Sequence, residues 1–375
     1  MEKDVEAGEG TRGGDAGWMG AAAAEIAHLQ LWQLVLAGTH DSCTHTISSS
    51  SNFAPDAPSA VRKAPKKIGI FLLLYLFPPL QSPSPFSLSN SSQCNQYKIV
   101  ARWAKAQGKS ALEQLRAGVR YLDLRIAFNE EDKGLYTCHS LYGEKIEGVL
   151  REVAEFLREQ QQEVVILDFN HLYNMGDPKS HKKLIRKISR LLGKDKLILR
   201  ESGPGVTLRE LWDAGERRVV VIYHDNEWAE KYPFLWHGEE HISSPWPDTT
   251  KPKVLKRSLE RTLESRLEKQ SDEDGDNNGH NNHNNHKDHN TKKEFFVLQG
   301  VLTPDANLIA RSFLNGSLVR LAAKVNPQLM KWIEDDWAER YPSCLNIIIV
   351  DHFDTTNIVA LSKALTLKKA KQQAS

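Results

Sequence analysis

Histidine, arginine and carboxylate side chains recur in this sequence at the points where apolar segments end. They are His40 and Asp41, Asp123 and Arg125, His139, Asn170 and His171, Tyr223 and His224, and Asp351 and His352. Arginine offers a planar fork that matches phosphate oxygens, and histidine transfers protons near neutral pH. Together these residue types predict phosphoryl chemistry, in which a hydroxyl is deprotonated, a phosphate is held and a leaving alkoxide is protonated.

The apolar segments alternate with helical segments along the chain. The strand candidates are residues 30–40, 118–128, 135–141, 163–172, 196–199, 217–225, 294–303 and 344–353. The segment 145–162 has apolar residues at i, i+3, i+4 and i+7 spacing, which predicts a helix. Near-continuous apolar strands between helices favour a parallel sheet that is covered on both faces.

This number of strands favours an α/β fold of the TIM (β/α)₈ barrel class. A doubly wound sheet is the alternative, but it usually carries a Gly-rich phosphate loop after its first strand, and this chain has AGTHDS there. In a barrel, active sites lie where the carboxyl ends of the strands meet. A single histidine of this kind is more typical of a surface or capped histidine, and the Asp123–Arg125 pair alone fits a salt bridge at the barrel mouth equally well. It is therefore the series that favours a site.

The composition predicts a single catalytic domain with two unusual stretches and two tails. Residues 1–25 are expected to be a disordered N-terminal tail, 26–362 the barrel, and 363–375 a C-terminal tail. Residues 271–293 form an Asn-, His- and Asp-rich linker that is predicted to be disordered. Its regularly spaced histidines could bind a metal only adventitiously.

The second unusual stretch is a long insertion at about 54–96, without helical or strand periodicity. Its Phe, Leu, Ser and Pro bias is what a pyrimidine-rich tract encodes, so a translated intron within 66–93 and a genuine surface insertion are both open. The apolar run Ile68–Leu80 is shorter than the roughly 20 residues of a membrane-spanning helix. A genuine insertion would follow the first strand closely enough to cap the site or contact a membrane.

The overall charge excludes a general attraction to polyanions. The chain has 49 Lys and Arg against 48 Asp and Glu and a formal net charge of +1, so no nucleic-acid partner is expected. The 4 cysteines include no C-x-x-C pair and indicate neither a disulfide framework nor a zinc site. The N-terminus lacks the apolar core of a signal peptide, which predicts a cytoplasmic protein.

Four motifs together resemble a known family. LAGTHDS, GVRYLDLRI, CHSLYG and EVVILDFNHLY are similar to the X-domain-containing proteins of the phosphatidylinositol-specific phospholipase C superfamily, over about 34–49, 100–225 and 295–361. The resemblance implies a distorted TIM barrel and a phosphoric diester hydrolase acting on a phosphoinositide lipid, in peripheral contact with a membrane. The products would be diacylglycerol and a cyclic inositol phosphate.

The resemblance also implies a role for each matching residue. His40 matches the general base that takes the proton from the inositol 2-hydroxyl, and Asp351 matches the carboxylate that orients this base. Arg125 matches the phosphate-binding arginine. His139 matches the general acid that protonates the diacylglycerol oxygen, with assistance from Asp41.

Head-group contacts are implied for Asp123 and for positions where this chain departs from its relatives. Bacterial relatives have a lysine near the end of the fourth strand, where this chain has Asn170 and His171. An arginine expected near a later strand end is absent, and Tyr223 lies nearby. These residues are the predicted substrate-binding set, and their departures leave the head group open.

No metal or cofactor is predicted. Calcium-dependent relatives surround an ion with carboxylates and an asparagine, because Ca²⁺ takes about six to eight oxygens. Here Arg125 lies where a ligand would be and Asp41 replaces the asparagine, so the guanidinium itself would supply the positive charge. Two other interpretations stay open: a glycerophosphodiesterase-like enzyme, which would use a metal, and a catalytically weak lipid-binding or scaffold barrel.

Overall fold

The computed structural model describes residues 15–59, 62, 96–275, 293–312 and 315–374. The strands are β1 (Leu36–Thr39), β2 (Tyr121–Phe128), β3 (Leu135–His139), β4 (Leu141–Lys145), β5 (Val165–Tyr173), β6 (Val219–Tyr223), β7 (Leu235–His237), β8 (Ile242–Ser243), β9 (Phe295–Gln299) and β10 (Ile347–Val350). The helices are Trp18–Ala21, Ala23–Ile26, Gln96–Ala104, Ala111–Arg116, Ile146–Glu159, Pro178–Leu192, Leu208–Asp213, Asn226–Glu230, Gly238–His241, Pro252–Gly275, Ala306–Arg311, Leu318–Trp332, Ala338–Arg340 and Ile358–Ala374.

The strands form a nearly closed parallel barrel with helices outside it, which confirms the predicted fold class. Hydrogen-bonded neighbours follow the order β7-β6-β5-β2-β1-β10-β9-β8, and the pairs along this path are parallel. In the part of the chain that the structure describes, no ladder joins β7 to β8. The short strands β3 and β4 form an antiparallel extension beside β2.

Alternation along β2 decides which of its side chains reach the barrel interior. Leu122 and Leu124 belong to the apolar cluster between the sheet and the helices, whereas Tyr121 belongs to the cluster inside the barrel. Successive side chains of a strand point to opposite faces. Asp123 and Arg125 therefore point inward, on the same face as Tyr121.

The helix predicted within 145–162 is confirmed as Ile146–Glu159. Its buried residues are Ile146, Val149, Leu150, Val153, Phe156 and Leu157, and all of them belong to the outer apolar cluster. Burying one large apolar side chain contributes about 1.5–3 kcal/mol. This face therefore fixes the helix against the outside of the barrel.

Two of the predicted strands are wrong as barrel strands. Residues 135–141 include β3, which runs antiparallel to β2, and residues 196–199 contribute only an isolated bridge between Leu197 and Val219. The barrel is instead completed by β7 and β8, with 3 and 2 residues. Strands this short are below the length at which alternation can be recognised in a sequence.

The predicted tails are wrong for the residues that the structure describes. Trp18 and Met19 lie in a helix and are buried in the inner cluster, so the N-terminal segment closes the bottom of the barrel. The last helix continues to Ala374, and within it Thr366 donates a hydrogen bond to the Val35 carbonyl at 2.9 Å. Both ends of the described chain are thus part of the packed domain.

The other predicted segments lie mostly outside the described residues. These are the greater part of the insertion at 54–96, including Ile68–Leu80, and residues 276–292 of the predicted linker. Among the helices that the structure describes, none is both long enough and apolar enough to cross a membrane.

Candidate active site

Polar side chains from β1, β2 and β10 meet because these strands are neighbours in the sheet. His40 and Asp41 follow β1, which pairs with β10 on one side and β2 on the other. Asp351 follows β10, and Arg125 lies within β2. Parallel pairing brings the carboxyl ends of all three strands to the same edge, so residues distant in sequence come into contact.

His139 joins this group by a different route. The strand β3 folds back along β2, with Thr137 opposite Ile126 in the antiparallel register. Two residues further along, this register brings His139 to the level of Leu124, between the two inward-pointing polar residues of β2. The His40 and His139 rings are consequently 6.3 Å apart between centroids, at an interplanar angle of 78°.

His40 has a hydrogen-bond partner at each ring nitrogen. Its Nδ1 lies 2.8 Å from Oδ1 of Asp351, and its Nε2 lies 2.9 Å from Nη2 of Arg125. A guanidinium has no acceptor, so in the neutral form of His40 Nε2 accepts from Arg125 and Nδ1 donates to Asp351. This tautomer keeps the lone pair of Nε2 directed towards the Arg125 guanidinium.

Asp41 connects the arginine to both histidines. Its Oδ1 lies 2.6 Å from Nε of Arg125, and its Oδ2 lies 3.4 Å from Nε2 of His40 and 3.3 Å from Nδ1 of His139. Arg125 Nη2 is also 3.9 Å from Oδ2 of Asp123. The guanidinium is thus fixed by carboxylates on one side.

The tautomer of His139 follows from its backbone contact. Its Nδ1 lies 2.8 Å from the carbonyl oxygen of Ala104. A carbonyl can only accept, so Nδ1 carries a proton whether the ring is neutral or charged. A proton that His139 gives to or takes from a substrate must therefore move through Nε2.

The loop after β1 is held in an unusual backbone conformation. Asp41 has a φ of 44°, in the left-handed region that costs a non-glycine residue free energy. Its backbone N–H donates to Oδ2 of Asp123 at 3.0 Å, and the amide of Gln107 donates to the carbonyls of His40 at 3.0 Å and Val350 at 2.8 Å. Gln107 was missed in the sequence because nothing in its surroundings resembles a motif.

Burial and charge act in opposite directions on the titrating groups. Burial lowers the pKa of His40, but the Asp41 and Asp351 carboxylates outweigh burial and raise it to about 9. Burial raises the pKa of Asp41, but Arg125 and the neighbouring histidines lower it to about 2. Asp41 therefore stays ionised, and the imidazolium form of His40 is stabilised. His40 can act as a base only in its neutral form, whose share grows as the pH approaches about 9.

A cavity of about 840 Å³ lies between the segments that follow β5 and β6. Asn170 and His171 line it, and His171 is the register partner of Arg125 across the β2–β5 pair. Burial, and then the charge of Arg125, lower the pKa of His171. Both predicted contacts thus line a cavity on the strand next to Arg125, and a direct role for them stays a prediction.

His224 lines the same cavity and pairs with a buried carboxylate that sequence reasoning did not assign. Nε2 of His224 lies 2.9 Å from Oδ1 of Asp168, and Tyr121 donates to Oδ2 of Asp168 at 2.5 Å. A Cβ on Gly238 would lie 2.5 Å from Nδ1 of His224, so glycine leaves the room for this ring. Burial lowers the pKa of His224, but Asp168 outweighs it and raises the pKa.

The structure corrects the prediction that Tyr223 belongs to the substrate-binding set. Its ring is buried in the outer cluster, between the sheet and the helices, and its hydroxyl lies 2.8 Å from Nδ1 of His181. The side chain of Tyr223 therefore points away from the barrel interior and does not contact a ligand at the mouth. His224, one residue later, is on the opposite face.

Three residues of this group also lie close enough together to be considered as metal ligands. His40, Asp41 and Asp123 could each offer one ligand atom, all within 4.8 Å of one another. Arg125 lies against each of them, at 2.9, 2.6 and 3.9 Å. A divalent cation among these atoms would face the fixed guanidinium charge, and three ligands fall short of the about six to eight oxygens that Ca²⁺ takes, so the donor set does not fit.

Known proteins resemble this chain in sequence. The sequence profile of "Phosphatidylinositol-specific phospholipase C, X domain" matches residues 87–223. PI-PLC X domain-containing protein 2 of Homo sapiens is 31% identical over 304 residues, which cover 80% of this chain and 82% of that protein. This chain belongs to the PI-PLC X domain-containing proteins. The profile match begins after β1, so His40 and Asp41 lie outside it.

Other relatives of this family member match most of the chain. The mouse PI-PLC X domain-containing protein 2 is 29% identical over 94% of this chain and 88% of its own length. The variant-surface-glycoprotein phospholipase C of Trypanosoma cruzi is 27% identical over 84% of this chain and 75% of its own length.

Solved structures show the fold alone. The phosphatidylinositol-specific phospholipase C of Listeria monocytogenes superposes with a TM-score of 0.55 at 15% identity, covering 95% of this chain and 98% of that chain. A phosphatidylinositol-specific phospholipase C of Staphylococcus aureus gives 0.54 at 14% identity, covering 94% and 97%. The barrel of this protein thus has the same fold as the barrels of those bacterial proteins.

Proposed function

We propose that this protein is a metal-independent phosphodiesterase that cleaves phosphatidylinositol-type lipids into diacylglycerol and a cyclic inositol phosphate. The observation that carries the proposal is the position of Arg125, whose guanidinium contacts both His40 and Asp41 at 2.9 and 2.6 Å. A phosphate that binds this guanidinium lies between two histidines whose rings are 6.3 Å apart. One histidine can then serve the attacking oxygen and the other the leaving oxygen.

In the first half of the reaction, the inositol 2-hydroxyl is the nucleophile. When Arg125 binds the phosphate, Nε2 of His40 becomes free to take the hydroxyl proton. The hydroxyl oxygen then forms a bond to phosphorus, and His40 becomes an imidazolium that donates from Nδ1 to Asp351. General-base catalysis of this kind contributes typically about 10²–10⁴-fold to a rate.

In the second half, the bond from phosphorus to the diacylglycerol oxygen breaks. His139 donates the proton from Nε2 to that oxygen, because its Nδ1 proton is held by the Ala104 carbonyl. Oδ2 of Asp41, 3.3 Å from Nδ1 of His139, holds the ring in place for this transfer. Release of the cyclic product leaves His40 protonated and His139 neutral, and proton exchange with water restores both.

A lipid substrate requires the protein to meet a membrane surface at the mouth of the barrel. We therefore propose peripheral membrane contact by a cytoplasmic protein. The head group would occupy the cavity lined by Asn170 and His171, and Asp123 stays a proposed head-group contact.

The test is hydrolysis of phosphatidylinositol vesicles by the purified protein in excess chelator, with product analysis for a cyclic inositol phosphate. His40→Ala is the inactive variant, and His28→Ala is the matched control, because His28 is exposed and precedes β1 at the other end of the barrel. Chelator-resistant activity that only His40→Ala abolishes supports the proposal.

Two results would overturn it. Activity that requires added Ca²⁺ would mean that Arg125 does not replace a metal. A folded protein without activity on any phosphatidylinositol-type lipid would favour the lipid-binding interpretation.

A further inference from the structure

A second cavity, of about 400 Å³, shares no lining residue with the candidate active site. It lies between the segment that follows β9 and the N-terminus of the helix Leu318–Trp332, with Trp103 on a third side. The strand β9 is the seventh parallel strand in chain order. In TIM barrels, the loops after strands 7 and 8 and a helix N-terminus beside them frequently bind phosphate.

The charges around this cavity are positive and uncompensated. Arg311 and Arg320 line it, and no acidic residue does. Within the described residues, neither arginine has a carboxylate at ion-pair distance. The helix Leu318–Trp332 has no acidic residue in its first turn. The Ser317 hydroxyl caps it by accepting from the Arg320 N–H at 3.3 Å, but no carboxylate of this turn offsets the partial positive charge of the N-terminus.

A buried indole provides an independent indication of a missing acceptor. Trp103 is only 6% exposed, and its Nε1–H has no hydrogen-bond partner in the described structure. A Cβ on Gly316 would lie 2.3 Å from Cζ2 of Trp103. In the indole ring a single carbon, Cε2, separates Cζ2 from Nε1. The edge of the indole that bears the N–H therefore faces the Gly316 turn of the cavity. A buried donor without an acceptor costs about 1–3 kcal/mol.

We propose that this cavity is a second phosphate site, in which Arg311, Arg320 and the N-terminus of Leu318–Trp332 hold the anion and Trp103 donates from Nε1. Arginine pairs with phosphate oxygens through parallel N–H donors, and the absence of acidic lining residues favours an anion. The ligand is a phosphate monoester or diester, either soluble or at the surface of an anionic lipid bilayer. The site does not depend on the reaction proposed for His40 and Arg125.

The experiment follows the indole N–H of Trp103 by NMR. The protein contains 9 tryptophans, and with isotope-labelled tryptophan each gives one indole signal. The signal that disappears in Trp103→Phe identifies this residue. Inorganic phosphate is then titrated at constant ionic strength, which removes general salt effects. Because the signal belongs to Trp103, it reports binding in this cavity and not binding at Arg125.

We expect the Trp103 signal to shift with phosphate in the wild-type protein. In Arg311→Gln/Arg320→Gln the midpoint should move to at least about tenfold higher phosphate, because two charge-assisted contacts are lost. Arg209→Gln is the matched control, since Arg209 is an exposed arginine on the helix Leu208–Asp213, and it should change nothing. No shift of the Trp103 signal, or an equal shift in the double variant, would overturn the proposal.

Vesicle sedimentation distinguishes the two sources of phosphate. Vesicles of phosphatidylcholine with phosphatidic acid are compared with phosphatidylcholine alone, for the wild-type protein and the double variant. Weaker binding of the variant to the anionic vesicles assigns a lipid phosphate. Equal vesicle binding, together with the lost NMR shift, assigns a soluble phosphate ligand.

Discussion

Nδ1 of His40 lies 2.8 Å from Oδ1 of Asp351, although 311 positions separate the two residues in the chain. The contact exists because β1 and β10 are parallel neighbours, with Thr39 paired to Val350, and each strand ends one residue before its polar side chain. The first and last strands of the barrel therefore build the proposed base together. The amide of Gln107 donates to the carbonyls of His40 and Val350, which holds the two strand ends in this relation.

Asp351→Asn is expected to lower kcat/KM on phosphatidylinositol by about 10²–10⁴-fold, because the imidazole of His40 loses its orienting acceptor and the charge that stabilises its protonated form. Steady-state kinetics measure the loss. The control is Asp354→Asn, an exposed carboxylate in the same loop, which should leave the rate unchanged. A loss of less than threefold in Asp351→Asn would contradict the proposed role.

Arg125→Lys is expected to lower kcat by about 10²–10³-fold while the overall charge stays the same. A lysine carries one ammonium and cannot contact a phosphate and Asp41 through a planar fork. Single-turnover assays measure the effect on the chemical step. Arg158→Lys, at an exposed position of the helix Ile146–Glu159, should behave as the wild-type protein, and full activity of Arg125→Lys would show that the fork is not needed.

The raised pKa of His40 predicts a pH dependence of stability. The pKa rises from about 6.5 in the unfolded chain to about 9 in the fold, so the native state gains stability that is fully present below about pH 6.5 and lost as the pH rises through about 9. At most about 3 kcal/mol is at stake.

Urea unfolding of the wild-type protein and His40→Gln across this range measures the effect. We expect the difference in unfolding free energy between the two proteins to shrink with rising pH. A constant difference would mean that the pKa of His40 is not raised.

Lys369 predicts a pH dependence of the opposite sign. Burial, together with the charge of Arg266, lowers its pKa to about 7, and its Nζ donates to the carbonyls of Leu345 at 2.6 Å and Gln33 at 3.1 Å. The unfolded chain binds more protons between about pH 7 and 10, so stability should rise there by up to about 1.4 kcal/mol per pH unit.

Lys369→Met should remove this rise, which urea unfolding at several pH values measures. Lys371→Met is the matched control, because Lys371 is exposed on the same helix. The idea fails if both variants keep the wild-type slope.

Glu163→Ala is expected to destabilise the protein by about 3–5 kcal/mol, because it leaves a buried arginine without its counter-charge. Arg120 and Glu163 are 0% and 1% exposed, and Nη2 lies 2.6 Å from Oε2. Glu159→Ala breaks an exposed ion pair with Arg116 and should cost less than about 1 kcal/mol. Thermal and urea unfolding give both values, and equal costs would contradict the importance of burial.

The fold class and most residues of the candidate active site could be predicted from the sequence alone. Long apolar strands such as Gly118–Phe128 and the amphipathic helix at 145–162 carry local patterns strong enough to be recognised, and the motifs containing His40, Arg125 and His139 carry the family likeness. The strands β7 and β8 were missed because 3 and 2 residues are held by their neighbours and not by any local pattern.

Only the tertiary structure decided which face of the sheet and which partners each of these residues has. The sequence places Tyr223 and His224 side by side, but the alternation of β6 puts the tyrosine in the outer core and the histidine in the cavity against Asp168. Gln107 and the Ala104 carbonyl contact the site through packing of segments far apart in the chain, so no local spacing could reveal them. The sequence determines the types of the candidate site residues. Their tautomers, pKa values and partners depend on which strand ends are neighbours, because hydrogen bonds and Coulomb interactions act over a few ångströms of space and not along the chain.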